Sequence, residues 1–192
     1  MIIGVTGPSG AGKSIVCQYI AESFGYKAID CDEYARKAVC GQMIAELADC
    51  FGSVILNDDK TLNRRALAAA AFNSREGIKS LNRITHPYIT ALVERDIKKY
   101  KNVILDAPTL FESGLDSRCD AIVAVLASKE LRTRRIYSRD NLTESQLADR
   151  HKAAKPDEFY TDKTDKIIIN NGNLQDLNAA AAEMFGKIIG GK

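Results

Sequence analysis

The sequence predicts an α/β fold in which helices flank a parallel β-sheet. Short apolar runs rich in β-branched residues alternate along its 192 residues with longer helical patterns. Such alternation favours βα units with parallel strands. Two of the runs, Met1–Val5 and Ala121–Ala127, are continuously apolar, as in strands that a parallel sheet buries on both faces. Because the chain has no internal repeat, low-complexity tract or linker, we expect residues 1–192 to form a single domain.

The strands can be placed in chain order. They are expected at Met1–Val5, Lys27–Asp30, Asn102–Asp106, Asp120–Leu126 and Lys166–Asn170. After the first strand, apolar residues between Ile15 and Ile20 recur at helical spacing, and Gly25 stands just past the predicted end of that helix.

Most of the chain between the second and third strands is predicted to be helical. We interpret residues 33–101 as an insertion that shapes a substrate pocket, within which a His-Pro pair follows a helical segment. Further along, Leu131–Arg139 predicts a basic helix. The capping-box sequence Thr143–Gln146 predicts the start of another helix, which Pro156 ends. An Ala-rich helix is predicted at the C-terminus.

Composition excludes several classes of protein. The 27 Lys and Arg residues against 25 Asp and Glu leave a net charge of +2, too small for bulk binding to nucleic acid or an anionic membrane. The longest apolar run has only the length of a strand, and no basic region precedes the first one. Five cysteines without a CxxC motif, and only two histidines, argue against a disulfide scaffold or a zinc site. We therefore expect a cytoplasmic protein with no nucleic-acid or membrane partner. Separately, we expect a monomer.

The strongest motif is Gly7–Ser14 (GPSGAGKS), which fits the P-loop pattern GxxxxGK[ST] between a predicted strand and a predicted helix. Glycines let backbone N–H groups curl around phosphates, and the following helix points its positive end at them. Lys13 is expected to reach the β- and γ-phosphates, from an exposed position when the loop is empty, and the Ser14 hydroxyl to ligate Mg²⁺. The alternative is a Gly-rich turn that binds nothing. We predict a P-loop NTPase fold that binds a nucleoside triphosphate.

The rest of the sequence narrows the class of P-loop protein. GTPases need a base-reading NKxD sequence, which is absent, and the chain is too short for most ATP-driven motors. Small kinases remain, with a P-loop core, an acceptor pocket and a basic lid that closes over the transferring phosphoryl group.

Acidic residues end two of the predicted strands. Asp30-Cys31-Asp32 follows the second strand, beside the P-loop at the edge where ligands of parallel sheets gather. A carboxylate there can orient an acceptor hydroxyl and take its proton, although an acid pair at a helix N-terminus explains the same residues. Asp106 ends the third strand like a Walker B acid that holds Mg²⁺ through water, or like an acid that only starts a turn.

Four arginines without an acid lie between Arg132 and Arg139. At about 100° per residue, Arg132, Arg135 and Arg139 share one helix face, and Arg134 points to the other side. Three guanidinium groups on one stripe can neutralise a triphosphate in the transition state, whereas the alternative is a solvated basic face. His86 is either a ligand-binding or a capping and packing residue.

Several landmarks together resemble the dephospho-coenzyme A kinase family. They are VTGPSGAGKS at Val5–Ser14, IDCDEYAR at Ile29–Arg36, LNRRALAAAAF at Leu62–Phe72, LNRITHPYI at Leu81–Ile89, LDAPTLFESGL at Leu105–Leu115, the Arg135/Arg139 pair and IINNG at Ile168–Gly172. The resemblance covers almost the whole chain in the family's order. It implies a five-stranded core, a helical coenzyme-binding region at about 33–101 and a lid at about 129–160. It also implies transfer of the γ-phosphoryl of ATP to the ribose 3′-hydroxyl of 3′-dephospho-CoA.

The resemblance also implies roles for particular residues. Asp32 becomes the catalytic base, Arg135 and Arg139 belong to the lid, and Arg65 and His86 contact the substrate. The residues implied at the ATP phosphate site are Gly10, Ala11, Gly12, Lys13, Ser14 and Ile15.

This sequence departs from the family's usual pattern at four places. They are GPSG at Gly7–Gly10 in place of Gly-Gly-Ile-Gly, Ile15 in place of Thr, Thr109 in place of Leu, and Ala153–Lys155 where the late lid usually carries a glutamine. Because GPSGAGKS is also similar to guanylate kinase, another nucleotide or small-molecule kinase is the first alternative. A P-loop module that binds nucleotide as an interaction switch, without catalysis, is the second.

Overall fold

The computed structural model describes residues 1–140 and 155–190. It divides into two compact units, which we call the core unit, Met1–Asp30 with Tyr100–Lys192, and the helical unit, Cys31–Lys99. The predicted helix start at Thr143–Gln146 lies outside the described residues.

The core unit is built on a five-stranded parallel sheet. Its strands are β1 Ile2–Thr6, β2 Lys27–Asp30, β3 Val103–Asp106, β4 Ala121–Leu126 and β5 Lys166–Ile169. They lie in the order β2-β3-β1-β4-β5, and every pair is parallel. The predicted fold class is confirmed, and each strand lies within about one residue of its predicted bounds. The carboxyl ends of all five strands meet at one edge of the sheet.

Eight helices accompany the sheet in the described part of the chain. They are α1 Lys13–Phe24, α2 Cys31–Lys37, α3 Gly41–Phe51, α4 Arg64–Ala71, α5 Arg75–Ile97, α6 Lys129–Asp140, α7 Glu158–Thr161 and α8 Leu174–Gly190. Within the described residues, no helix is long and apolar enough to cross a membrane.

The hydrophobic centre of the core unit joins the sheet to α1 and α8. Ile3 of β1 and Val123 of β4 pack with Ile20 of α1 in one buried cluster. Phe185 of α8 is also buried there, and its ring centre lies 4.9 Å from that of Tyr26. The three inner strands, β1, β3 and β4, are buried along nearly their whole length, so their apolar runs are continuous rather than alternating.

The helical unit has its own apolar cluster. Met43 and Leu47 of α3 pack with Ile84 of α5, and the neighbouring turn and α4 add Ile55 and Leu67. Its longest helix, α5, runs through a proline. The sequence analysis expected the His-Pro pair to follow a helical segment, and this expectation is wrong because α5 continues for several turns beyond it.

Proline has no N–H to donate, so Pro87 removes the helical hydrogen bond to the carbonyl of Arg83. The turns on either side compensate. Ser74 caps the start of α5, its hydroxyl accepting from the Gly77 N–H at 2.9 Å, and Ile84 and Val93 are buried on either side of the proline. Tertiary packing of a long helix therefore outweighs the local preference of one residue.

Candidate active site

The phosphate loop connects the end of β1 to the start of α1, at the carboxyl edge of the sheet. Gly7 and Gly12 have φ values of 135° and 102°, which side chains with a Cβ rarely adopt. A Cβ at Gly7 would run into the carbonyl oxygen of Val125, and one at Gly12 into the amide of Asn170. The glycines of GPSGAGKS are thus required both by backbone conformation and by the close approach of β4 and β5.

Lys13 is buried, with 7% of its surface exposed, and its Nζ donates to the carbonyl of Pro8 at 3.1 Å. The expectation that its side chain is exposed in the empty loop is therefore wrong. The loop supplies a backbone acceptor for the ammonium group, and an acceptor makes burial of that charge tolerable.

Ser14 and Asp106 lie together at the start of α1. The Ser14 hydroxyl donates to Oδ2 of Asp106 at 2.5 Å, and Asp106 is buried at the carboxyl end of β3. Because β3 pairs directly with β1, the loop that follows β1 begins beside this carboxylate. The structure therefore brings together the two residues that the sequence analysis offered as magnesium ligands.

The two acids of the Asp-Cys-Asp segment have different settings. Asp30 ends β2 and is in register with Asp106 on the neighbouring strand, so β3 separates it from β1. The sequence analysis placed the segment beside the P-loop, but its direct neighbour in the sheet is the end of β3. Asp32 lies in the first turn of α2, which begins at Cys31. The extended backbone that would point both carboxylates the same way therefore ends before Asp32.

Within the helical unit, a hydrogen bond ties α2 to the end of α5. The Tyr34 hydroxyl donates to Oδ2 of Asp96 at 2.7 Å, and Nζ of Lys99 lies 2.6 Å from Oδ1. The bonds from Lys99 and Tyr34 hold the pKa of the Asp96 carboxyl well below its usual range. This contact fixes the helix that carries Asp32.

Arginines of α6 lie against the phosphate loop. Arg135 donates from Nη1 to the carbonyl of Gly10 at 3.4 Å, and from Nη2 to the carbonyl of Asn170 at 3.2 Å. The guanidinium of Arg132 pairs with Asp157 at 3.4 Å. Arg134 and Arg139 are exposed. The half-buried members of the arginine group thus sit at the loop side of α6.

The expected substrate residues of the helical unit, Arg65 and His86, lie on different helices. Arg65 is exposed in the first turn of α4, and His86 is half-buried in α5. A cleft of about 340 Å³ opens between α3 and α5. Its lining residues are Gln42, Glu46, Arg83, Ile84, Pro87, Tyr88 and Ala91.

The cleft contains one strong hydrogen bond. The Tyr88 hydroxyl donates to Glu46 at 2.7 Å, and this bond raises the pKa of Tyr88 to about 12. Neither Arg65 nor His86 lines the cleft.

Asn170 is the site residue that sequence reasoning missed. It follows β5, is buried, and donates from Nδ2 to the carbonyl of Ala11 at 2.7 Å. The sequence analysis assigned it only to the end of the last predicted strand. An asparagine at the carboxyl end of a parallel strand, where ligands gather, was the available signal. The late-lid departure at Ala153–Lys155 begins outside the described residues.

Comparisons with known proteins agree over nearly the whole chain. Residues 1–176 match the model of the dephospho-CoA kinase family. A dephospho-CoA kinase of Corynebacterium glutamicum is 39% identical over 194 residues, covering 97% of this chain and 96% of that relative. A crystal structure from Thermus thermophilus is similar with a TM-score of 0.81 at 31% identity, covering 97% of each chain. The structure of dephospho-CoA kinase from Campylobacter jejuni gives a TM-score of 0.67 at 28% identity, over 99% of this chain and 98% of that one.

Proposed function

Because the chain belongs to the dephospho-CoA kinase family, we propose how its own residues carry out that family's reaction. The reaction is the ATP-dependent phosphorylation of dephospho-CoA, the last step of coenzyme A biosynthesis. The observation that carries the assignment of residues is the contact between Ser14 and Asp106, directly after the phosphate loop. Full-length relatives with the dephospho-CoA kinase name favour this reaction over that of guanylate kinase.

We assign the triphosphate of ATP to the loop at Gly10–Ile15. Its backbone lies at the start of α1, where the helix dipole favours negative charge. The Lys13 ammonium donates a hydrogen bond to the Pro8 carbonyl in this structure. We assign it as the positive charge that contacts the β- and γ-phosphates.

Ser14 and Asp106 fit a magnesium ion. A hydroxyl and a carboxylate are hard oxygen donors, and both lie beside the loop that takes the phosphates. Asp106 would hold the ion through water and Ser14 directly. When bound with ATP, Mg²⁺ supplies positive charge that neutralises the phosphate oxygens.

We assign Asp32 as the group that orients and deprotonates the acceptor hydroxyl. The ribose 3′-oxygen forms a bond to the γ-phosphorus while the bond from that phosphorus to the ADP oxygen breaks. The hydroxyl proton passes to the Asp32 carboxylate. Support comes from its place in the chain, two residues after the strand end that is in register with Asp106.

The remaining roles follow the same proposal. The helical unit would bind the coenzyme moiety, with Arg65 and His86 as substrate contacts. Arg135 and Arg139 of α6 would neutralise the transferring phosphoryl group. We further propose that the chain acts as a monomer in the cytoplasm, and sedimentation equilibrium of the purified chain tests the first of these.

The experiment compares Asp32→Asn with Asp30→Asn, two isosteric changes that each remove one negative charge. Asp32→Asn should leave ATP affinity within about a few-fold and reduce phosphoryl transfer to dephospho-CoA by about 10²–10⁴-fold, because general-base and positioning effects are lost together. Asp30→Asn is the matched control. Calorimetry measures nucleotide binding, and single-turnover ADP formation measures transfer. If Asp30→Asn is inactive while Asp32→Asn still transfers the phosphoryl group, the assignment of the base to Asp32 is wrong.

A further inference from the structure

The buried side chain of Asn170 touches the phosphate loop from the side of β5. Its Nδ2 donates to the carbonyl oxygen of Ala11 at 2.7 Å, and only 5% of the residue is exposed. The Asn170 backbone N–H donates to the carbonyl of Leu126 at 2.7 Å, so the residue itself is anchored to β4. A rigid strand end therefore holds one carbonyl of the loop.

The held carbonyl belongs to the peptide unit that joins Ala11 to Gly12. In a trans peptide the C=O and the following N–H point in opposite directions. With the carbonyl directed at Asn170, the Gly12 N–H is directed away from it, at the start of α1 where N–H groups lack helical partners. Backbone N–H groups in this position are the ones that bind anions.

The neighbouring residues show that this orientation is specific. Gly12 has a φ of 102°, and a Cβ there would occupy the place of the Asn170 amide. The Ala11 N–H is used within the loop, since it donates to the carbonyl of Pro8 at 3.3 Å. The Gly12 N–H thus depends on Asn170 for its direction in a way that the Ala11 N–H does not.

We propose that Asn170 is a positioning residue for ATP: its amide fixes the Ala11–Gly12 peptide so that the Gly12 N–H binds a phosphate oxygen. The inference rests on the proposed phosphate site and adds a residue outside the P-loop motif to it. Loss of a buried hydrogen bond of this kind weakens the interaction that it supports by about tenfold.

Asn170 has a second contact that offers a competing explanation. Its Oδ1 accepts from Nη2 of Arg135 at 3.4 Å, so a variant could act through the arginine instead of the loop. A double-mutant cycle distinguishes an effect through the loop from an effect through Arg135. An effect through the loop persists when Arg135 is already alanine, and an effect through the arginine disappears.

The experiment measures binding of a non-hydrolysable ATP analogue with Mg²⁺ by calorimetry. Asn170→Ala is compared with the unmodified chain, and the same change is made in the Arg135→Ala background. Asn171→Ala is the matched control, because its exposed side chain accepts from the Ser128 N–H at 2.9 Å and does not touch the loop. Binding of dephospho-CoA is measured in parallel.

We expect Asn170→Ala to weaken binding of the analogue about tenfold in both backgrounds, with dephospho-CoA affinity within about twofold. Asn171→Ala should bind both ligands like the unmodified chain. A merely structural role for Asn170 would lower the active fraction and leave the dissociation constant of the remaining protein unchanged.

If the alanine variant does not fold, the same binding measurement is made with Asn170→Asp. Aspartate keeps the shape and the acceptor for Arg135 but cannot donate to the Ala11 carbonyl. We expect it to weaken binding of the analogue at least as much.

Three results would overturn the inference. These are unchanged binding in Asn170→Ala, unchanged binding in Asn170→Asp, or an effect that vanishes in the Arg135→Ala background. If the unmodified chain does not bind the analogue at all, the proposed phosphate site fails together with the inference.

Discussion

Single side chains around the phosphate loop show how charge is held at the carboxyl edge of the sheet. The Lys13 ammonium is buried and bonded to a carbonyl of its own loop. The Asp106 carboxylate is buried and accepts from the Ser14 hydroxyl. Both charged groups have a polar partner within the chain. The site is thus organised by hydrogen bonds within the chain.

Lys13→Met tests the charge of the P-loop lysine. Methionine keeps much of the buried stem and removes the ammonium group, so we expect a loss of about 10²–10³-fold in turnover and little change in melting temperature. Lys27→Met, an exposed lysine on β2, is the control. Steady-state rates at saturating ATP and a thermal melt check both points, and turnover equal to the unmodified chain would refute the role of Lys13.

At the residue scale, the sequence predicted the candidate site residues that belong to a motif of fixed spacing. It did not predict the contacts that form only when distant parts of the chain fold together. The spacing of GxxxxGK[ST] singled out Lys13 and Ser14 as candidate site residues, and the end of the third predicted strand singled out Asp106. The contact of Asn170 with the loop joins residues that are 159 positions apart in the chain. No periodicity or spacing encodes such contacts.

Among the helices, α6 carries arginines that differ in how far they are buried. Arg135 is half-buried on the loop, whereas Arg134 and Arg139 are both exposed. At about 100° per residue, Arg139 lies near the face of Arg135, and Arg134 lies on the far side of the helix. Exposure alone does not distinguish these two arginines, but position on the helix does.

Arg139→Ala and Arg134→Ala therefore form a matched pair. We expect Arg139→Ala to lower kcat by about tenfold or more and to change acceptor binding less, because its partner is the transferring phosphoryl group. Arg134→Ala should be nearly silent. Separate measurement of kcat and KM for dephospho-CoA decides the matter, and equal behaviour of the two variants would show that the helical-face argument is wrong.

The contact between α2 and α5 gives the helical unit a pH-dependent stability. Lys99 and Tyr34 hold the pKa of Asp96 below its usual range, so the ionised carboxylate is favoured in the folded chain. A group with a depressed pKa stabilises the fold above its unfolded pKa of about 4 and loses that contribution as the pH falls.

Asp96→Asn tests this contact. We expect a lower free energy of unfolding than in the unmodified chain at pH 7. The difference should shrink as the pH falls below about 4, because Asp96 then takes up a proton in the unfolded chain while it stays ionised in the folded one. Asp58→Asn, an exposed acid of the same unit, is the control. Urea denaturation at both pH values is the measurement, and a difference of equal size at pH 7 and pH 3 would contradict the prediction.

Element boundaries were predictable where the chemistry is local. Gly25 ends α1 in the left-handed conformation, and the strands follow the apolar runs. The start of α2 at Cys31 was not predicted, since the sequence analysis began the helical insertion at residue 33. The continuation of α5 through Pro87 was also missed, because packing of the whole helix decides it.

At the scale of the whole molecule, parallel strands and a helical insertion were predictable from the alternation of patterns. The order β2-β3-β1-β4-β5 was not, because strands that are adjacent in sequence need not be adjacent in a sheet. That order decides which acids meet at the carboxyl edge, and it places Asp30 beside Asp106. The consequence is a paired set of acids that no linear motif contains.

The measurement that tests the account most directly is ADP release by the complete chain at saturating ATP with dephospho-CoA, GMP or no acceptor. We expect dephospho-CoA alone to raise the rate above that without an acceptor, and mass spectrometry to find coenzyme A, which is dephospho-CoA with one added phosphoryl group. Release that GMP accelerates and dephospho-CoA does not, or release that no acceptor changes, would contradict the assignment.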